Sequence, residues 1–552
     1  MNKERNNNLL VQASILAIAG IVSRIIGLLY RGPLHSVIGD LGLGYYQSAY
    51  TYYTIVLLIS SYSIPSAISK VISQKIAVHE YRNAHQLFQC AFIYVLLIGG
   101  IGSIFLFFGA GIFVKEDAIP VLRVFAPTIL IYGMLGVLRG YFQSYRSMVQ
   151  TSVSQIIEQL INAIFSVAVA YFMISNAMGT MDIPVDEDAQ KTRAIWGAMG
   201  SAVGTGAGVL FALFFMLFAY GRIRKKIRTA IENDRNPSRD SYKHTFKLII
   251  STVTPFILST AIYNLSSSVN TQIFIEFYPK IKGLDSIEIT TVWGIFSGQA
   301  LTISNIPIAF ASAMASAMLP SIATLIALNK MDESKKKIGE SVKTTMFISI
   351  PCAVGMFTLA EPIINLLFTN TSDVLSFASK ILMALSISVI FYALSTLNSS
   401  ILQGIEKVNA PIINAGIALV LQTVVAFLLL LYTDLGIYSI VIANIFYSGI
   451  MCVLNQRAVS KALGYKQEYT KTFVVPTCSA AVMGIVIRVF YEFLYLHLKN
   501  MKLAVIPTIL LGILIYFFML FILKGITEED VKKMPKGEII LRLLKKFKKN
   551  KS

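Results

Sequence analysis

The sequence predicts an all-α integral membrane protein with about fourteen transmembrane helices. Two six-helix lobes, related by a pseudo-two-fold along the membrane normal, are expected to be followed by two extra C-terminal helices. Three observations carry this expectation. Of 552 residues, 55% are hydrophobic and only 14% are charged, at a mean hydropathy of +0.66. A soluble domain carries roughly 25% charged residues to face water. The apolar residues gather in runs near the ~20 residues that span a bilayer as helix. Positive charge collects in every second connection between those runs.

The runs fall at about 9–30, 46–72, 88–113, 119–142, 151–175, 194–220, 246–275, 288–326, 339–363, 374–402, 411–432, 436–457, 472–497 and 503–524. Met1–Arg5 followed by an apolar stretch with Ala17-Ile18-Ala19 imitates a signal peptide. The helical pattern continues through Arg24 to Tyr30, so the segment reads as a retained first helix. From Lys524 the tail is polar and basic, and Ile539–Phe547 is amphipathic enough to lie on a membrane surface.

With the N-terminus in the cytoplasm, the inner segments are the start, 70–87, 139–150, 221–247, 329–343, 403–411, 457–471 and the tail. They hold three quarters of the 48 Lys and Arg. The outer loops are poor in positive charge, and Met181–Asp188 is acidic. An even helix count with both termini cytoplasmic satisfies the positive-inside rule in a bacterial plasma membrane. The same distribution accounts for the net charge of +19 without nucleic acid as a partner.

An internal repeat sets the domain plan. Ser63-Ile64-Pro65-Ser66-Ala67 matches Asn305-Ile306-Pro307-Ile308-Ala309, and Gly140-Tyr141-Phe142-Gln143 matches Ser400-Ile401-Leu402-Gln403. The expected units are an N-lobe (1–220), a basic linker (221–245), a C-lobe (246–457), the last two helices (458–524) and a basic tail (525–552). Such paired lobes suit alternating access. Pro65 and Pro307 remove backbone hydrogen bonds at matching positions, either as hinges or as prolines of the kind transmembrane helices tolerate.

Ionisable groups inside apolar runs are the candidate site. Arg24 lies about fifteen residues into the first helix, roughly 22 Å by helical rise. A central Arg costs roughly 2.5–3.5 kcal/mol to insert, so it calls for a cavity or a partner. Arg31, two turns on, shares its face if the helix continues, before Gly32-Pro33 breaks it. Two guanidiniums at that spacing form a forked site suited to phosphate or pyrophosphate; Arg31 at an interface is the alternative. Gln155, Glu158, Gln159 and Asn162 make a polar stripe on the fifth helix. Glu158 could pair with Arg139 or take part in ion coupling. Arg123 and Arg488 sit near helix ends, where snorkelling explains them. The aligned stretch of the eleventh helix, Ile412–Thr423, has no charge, so the second lobe reads as neutral, with Asn264, Asn270, Asn398, Asn414 and Asn444 as its polar groups. A basic wall opposite a neutral one suits a ligand with an anionic part and a larger neutral part.

Four scattered cysteines and five scattered histidines give no disulfide frame and no metal site. No Walker A, HExxH or GxSxG motif stands in a suitable place, so a transporter without a catalytic motif or cofactor is expected.

The stretches Ser23-Arg24-Ile25-Ile26-Gly27-Leu28-Leu29-Tyr30-Arg31-Gly32-Pro33-Leu34 and Ile38-Gly39-Asp40-Leu41-Gly42-Leu43-Gly44-Tyr45-Tyr46-Gln47 resemble the opening of the MurJ-like branch of the multidrug/oligosaccharidyl-lipid/polysaccharide exporter superfamily. More narrowly they resemble the Gram-positive subgroup that includes SpoVB and the MurJ-type flippase YtgP. The tail Gly525–Gly537 adds to that resemblance. It implies a flippase for undecaprenyl-pyrophosphate-linked peptidoglycan precursor, lipid II, acting in cell-wall synthesis and cell shape. Arg24 and Arg31 would hold the pyrophosphate, and the last two helices would form a groove for the lipid tail. Its implied partners are the lipid-linked glycan, membrane lipids and cell-wall synthesis proteins, with a coupling ion or the membrane potential as energy source. Where Gram-negative MurJ proteins carry an acidic residue early in the second helix, this chain has Tyr45-Tyr46-Gln47. It also lacks Lys and Arg between Lys247 and Lys280 and between Lys282 and Lys330. Rival readings are a flippase for another undecaprenyl-linked polysaccharide unit, a multidrug/cation antiporter and a non-transporting scaffold for wall enzymes.

Overall fold

A computed structural model describes residues 18–59, 64–145, 147–179, 186–234, 240–327, 330–407 and 409–526. Among these the chain is helical throughout, without a strand. The helices are α1 (Ile18–Leu29), α2 (Arg31–Leu57), α3 (Ile64–Ala77), α4 (Tyr81–Phe108), α5 (Ile119–Ser144), α6 (Met148–Met178), α7 (Glu187–Glu232) and α8 (Tyr242–Thr271). They continue with α9 (Ser286–Trp293), α10 (Leu301–Ala327), α11 (Met331–Thr358), α12 (Ala360–Leu367), α13 (Ser372–Gly404), α14 (Asn409–Tyr432), α15 (Ile437–Leu463), α16 (Val475–Leu498) and α17 (Met501–Ile522).

Within the described residues, every expected apolar run falls on helix. Among the described residues nine helices are long and apolar enough to cross a membrane, or ten if the pair α11–α12, bent by 85°, is one span. The other expected runs lie on α1, α2–α3, α8 and α9–α10. Residues 9–17, the loop 180–185, the linker stretch 235–239, the tail 527–552 with Ile539–Phe547, and the side chain of Asn264 lie outside the description.

One expectation needs correction. Gly32-Pro33 does not break the chain: Tyr30 N–H donates to the Ile26 carbonyl at 3.2 Å and Leu34 N–H to the Tyr30 carbonyl at 3.0 Å. Pro33 falls in the first turn of α2, where a missing N–H costs least. The kink comes instead at Gly39, whose φ of +70° suits a residue without a side chain.

The outer faces are apolar. Leu97, Ile101, Ile104 and Phe108 on α4, and Val420, Val424 and Leu428 on α14, are exposed, a belt that only lipid solvates without penalty. Inside, α6 and α7 approach along Gly197, Gly200, Gly204 and Gly208. A Cβ at Gly204 would stand 2.2 Å from Ser166 N, and one at Gly208 2.5 Å from the Glu158 carbonyl. Small residues at this spacing let membrane helices pack backbone to backbone. Glu158 and Asn162 are thereby fixed in register against α7.

The basic connections gather at one end of the bundle. Lys75 on α3 bridges Glu80 and Asp240, each at 2.7 Å, and Tyr465 packs beside Gly339. At the opposite end α2 seals against the second half of the chain. Gln299 Nε2 donates to Asp40 at 2.6 Å, Gln47 Nε2 to the Ser297 carbonyl at 3.0 Å, and Lys115 Nζ to Ser286 at 2.7 Å. Gly44 and Gly294 allow this fit, since a Cβ on either would meet a carbonyl oxygen across the seam at 2.1 and 2.0 Å. Pro65 is the second residue of α3, whereas Pro307 lies inside α10, about two turns beyond a π-helical stretch, Gly294–Ala300.

Candidate functional site

A cavity of about 590 Å³ lies between α1, α5, α6 and α10. Arg24 and Arg31 line it together, because α1 runs almost unbroken into α2. Gln155, Glu158 and Gln159 come from α6, Arg139 from α5, and Thr302, Asn305 and Ser312 from α10. Gly27 brings α1 close to α6, its Cβ position 3.4 Å from Gln159 Oε1.

The charge balance follows from one ion pair. Arg139 Nη2 donates to Glu158 Oε2 at 2.7 Å and Arg139 Nε to Ser154 Oγ at 2.9 Å, with side-chain exposures of only 6% for Arg139 and 15% for Glu158. Three guanidiniums and one carboxylate border the cavity, so its described lining carries +2. That charge belongs to the wall formed by α1 and α2, and it favours an anion. Arg31 Nη1, Ser23 Oγ and Gln155 Oε1 are buried without a hydrogen bond. Buried polar atoms left unpaired are costly, so their clustering on one cavity marks a place where polar ligand groups gain most.

Asn162, the last member of the polar stripe, is not among the lining residues. It is buried and accepts from Ser166 Oγ at 2.8 Å and Thr205 Oγ1 at 3.3 Å, in a network that reaches the Tyr46 hydroxyl. Of the two residues expected to snorkel from helix ends, Arg123 lies in the second turn of α5, whereas Arg488 lies ten residues before the end of α16. Arg123 donates to the Phe107 carbonyl at 3.3 Å, and Arg488 pairs with Glu492 at 2.9 Å.

The wall contributed by α10 escaped the sequence reading. Thr302, Asn305 and Ser312 repeat at helical spacing on a helix without charge, the same signal that exposed the stripe on α6. Asn305 and Ile308 also border a second chamber of about 350 Å³, toward the N-terminal end of α10 and away from the basic connections. That chamber has no charged residue in its described lining.

Membrane-length helices around a charged cavity, sealed at one end by contacts between the two halves of the chain, define a multi-pass membrane transporter. Solved structures place the fold. The "Lipid II flippase MurJ, inward closed conformation" superposes with a TM-score of 0.62 at 18% identity, covering 91% of this chain and 97% of that one. An inward-facing multidrug resistance MATE family transporter of the MOP superfamily also gives 0.62, at 15% identity, covering 81% and 99%. The model of the family "Lipid II flippase MurJ" matches residues 88–506, and the chain belongs to that family. Among its relatives in Bacillus subtilis, "Lipid II flippase MurJ" is 24% identical over 508 residues, 88% of each chain. "Stage V sporulation protein B" is 24% identical over 547 residues, 96% of this chain and 98% of that one.

Proposed function

We propose that this protein flips lipid II, the undecaprenyl-pyrophosphate-linked peptidoglycan precursor, from the inner to the outer leaflet by alternating access. The observation that carries the reading is the convergence of Arg24 and Arg31 on a cavity whose lining carries +2. A diphosphate diester brings about −2 at neutral pH, so headgroup and lining neutralise each other. Guanidinium forks suit its geometry better than ammonium point charges. The seam from Asp40 to Gln299 closes the far end while the headgroup enters from the basic end, taken as cytoplasmic by the distribution of Lys and Arg. Both termini then lie inside, and the apolar faces of α16 and α17 offer the lipid tail a groove. Pro65 and Pro307 serve as hinges between the halves. Translocation draws on the membrane potential, a coupling ion or onward consumption of the product by cell-wall synthesis proteins, and needs no cofactor and no catalytic step.

The MATE fold raises cation export as a rival, but a +2 lining repels cationic drugs. A flippase for another undecaprenyl-linked glycan would use the same diphosphate site. The test is depletion of the protein in its host with a leaflet-resolved assay of lipid II. Accumulation in the inner leaflet, rescued by wild type and not by Arg24→Ala at equal expression, is the expected result. Unchanged distribution in a host without a redundant flippase overturns the lipid II assignment.

A further inference from the structure

The second chamber is built differently from the first. Tyr50 of α2, Trp293 at the end of α9, Tyr392 of α13 and Tyr447 of α15 turn aromatic side chains to it. Asn270 of α8 and Asn444 of α15 add two amides, and neither belongs to the charged wall. Gln422 Nε2 donates to Asn270 Oδ1 at 2.6 Å, and the Tyr392 hydroxyl donates to Asn444 Oδ1 at 2.5 Å. Both amide oxygens are therefore occupied, and among the described residues neither amide nitrogen has a hydrogen-bond partner. Trp293 is 2% exposed and its Nε1–H is buried without an acceptor. The residues that line this one uncharged space thus carry four aromatic rings and three donors without acceptors, that of Trp293 buried within its wall.

We propose that this chamber binds the neutral sugar part of the lipid-linked headgroup, while its diphosphate rests on Arg24 and Arg31; the proposal rests on the flippase reading. Pyranose rings have apolar C–H faces that pack on aromatic rings, and their hydroxyl and acetamido oxygens accept from the three donors. A hydrocarbon tail would leave those donors unpaired, and a cationic ligand would find no carboxylate there. About 350 Å³ lies within the range of small-ligand pockets, roughly 300–1,000 Å³. Asn305 and Ile308 line both chambers, so the two lie side by side, as one headgroup requires. Selection for the glycan would then lie in the second half of the chain and charge recognition in the first.

The test uses the full-length protein in nanodiscs and two probes, undecaprenyl pyrophosphate and the same lipid carrying an N-acetylated disaccharide. Wild type should bind the glycosylated probe about tenfold more tightly, the effect of two or three net hydrogen bonds. Asn444→Leu should remove most of that preference with no change toward bare undecaprenyl pyrophosphate. Trp293→Phe keeps an aromatic face but removes the pyrrole ring with its N–H, so it should cost at least about threefold for the glycosylated probe alone. Equal wild-type affinity for both probes, or variants that weaken both alike, overturns the chamber assignment and leaves the flippase reading standing. Binding of neither probe by folded wild type overturns both.

Discussion

Glu158→Gln is the perturbation that most directly separates architecture from transport at this site. Glu158 is the lone carboxylate in the described lining of the charged cavity, and its partner Arg139 is almost fully buried at 2.7 Å. Removing one member of a buried pair costs about 3–5 kcal/mol, because the other charge remains in a poorly solvating place. Here the glutamine keeps an acceptor for Arg139 and Ser154 stays in contact, so about 2–3 kcal/mol is expected. Arg139→Gln should cost at least as much, since it leaves the carboxylate facing a neutral amide rather than a cation. The double variant should recover to within about 1 kcal/mol of wild type, giving a coupling energy of about 2 kcal/mol or more. The assay is unfolding of the purified protein in mixed micelles, followed by a thiol-reactive dye that reports exposure of buried Cys90 and Cys452. Flipping of lipid II is measured in parallel on the same preparations. The single variants should lose stability while Glu158→Gln, which raises the lining charge from +2 to +3, still binds the diphosphate lipid. Simple additivity in the cycle would refute a pairing role, and full stability of Glu158→Gln together with lost flipping would make Glu158 a coupling group instead.

Three further outcomes are expected. Arg31→Ala should weaken binding of undecaprenyl pyrophosphate about tenfold to a hundredfold, the worth of a charged hydrogen bond, and Arg31→Lys should restore only part of it; titration in nanodiscs measures both. Gly204→Leu should prevent α6 and α7 from meeting, because its first side-chain carbon already stands 2.2 Å from Ser166 N; loss of monodisperse protein on size exclusion is the readout, and normal folding would contradict the packing. The clasp of Lys75, Glu80 and Asp240 should hold the linker across neutral pH. Lys75 hydrogen-bonds lower the Glu80 carboxyl, so its contribution is lost only as pH falls below about 4. Burial opposes the charge on Lys75, but hydrogen bonds to Asp240 and Glu80 outweigh it and raise its pKa, so that contribution persists until pH rises past about 10.4. Hydrogen exchange at the Arg82 amide, which donates to Asp234 at 2.8 Å, should be slow between those limits and accelerate in Lys75→Met.

The helical spans were legible because lipid imposes one requirement, a long apolar run with internally paired backbone, and that requirement is written locally. Arg24 and Arg31 stood out for the same reason, as costly exceptions within an apolar run. The continuity of α1 into α2 was misread, since Gly-Pro ends many helices and only its place in a first turn shows that this one continues. Asn162 shared the spacing of the α6 stripe, but the helical period does not say which edge of a polar face meets a cavity and which meets α7. The glycines at 197, 200, 204 and 208 repeat at helical spacing, but spacing alone does not say which helix packs against them.

By itself, then, the sequence determined a many-helix membrane protein, its basic connections, a cationic first helix and an uncharged eleventh one. Those properties depend on the cost of each residue in lipid, which is paid one residue at a time. The tertiary structure alone decided that Arg139 neutralises Glu158, that α10 completes the cavity, and that aromatic and amide groups from α2, α8, α9, α13 and α15 enclose a second chamber. Each of these joins residues far apart in the chain. Their meeting is set by how helices pack, a collective choice that no local pattern of apolar and polar residues specifies.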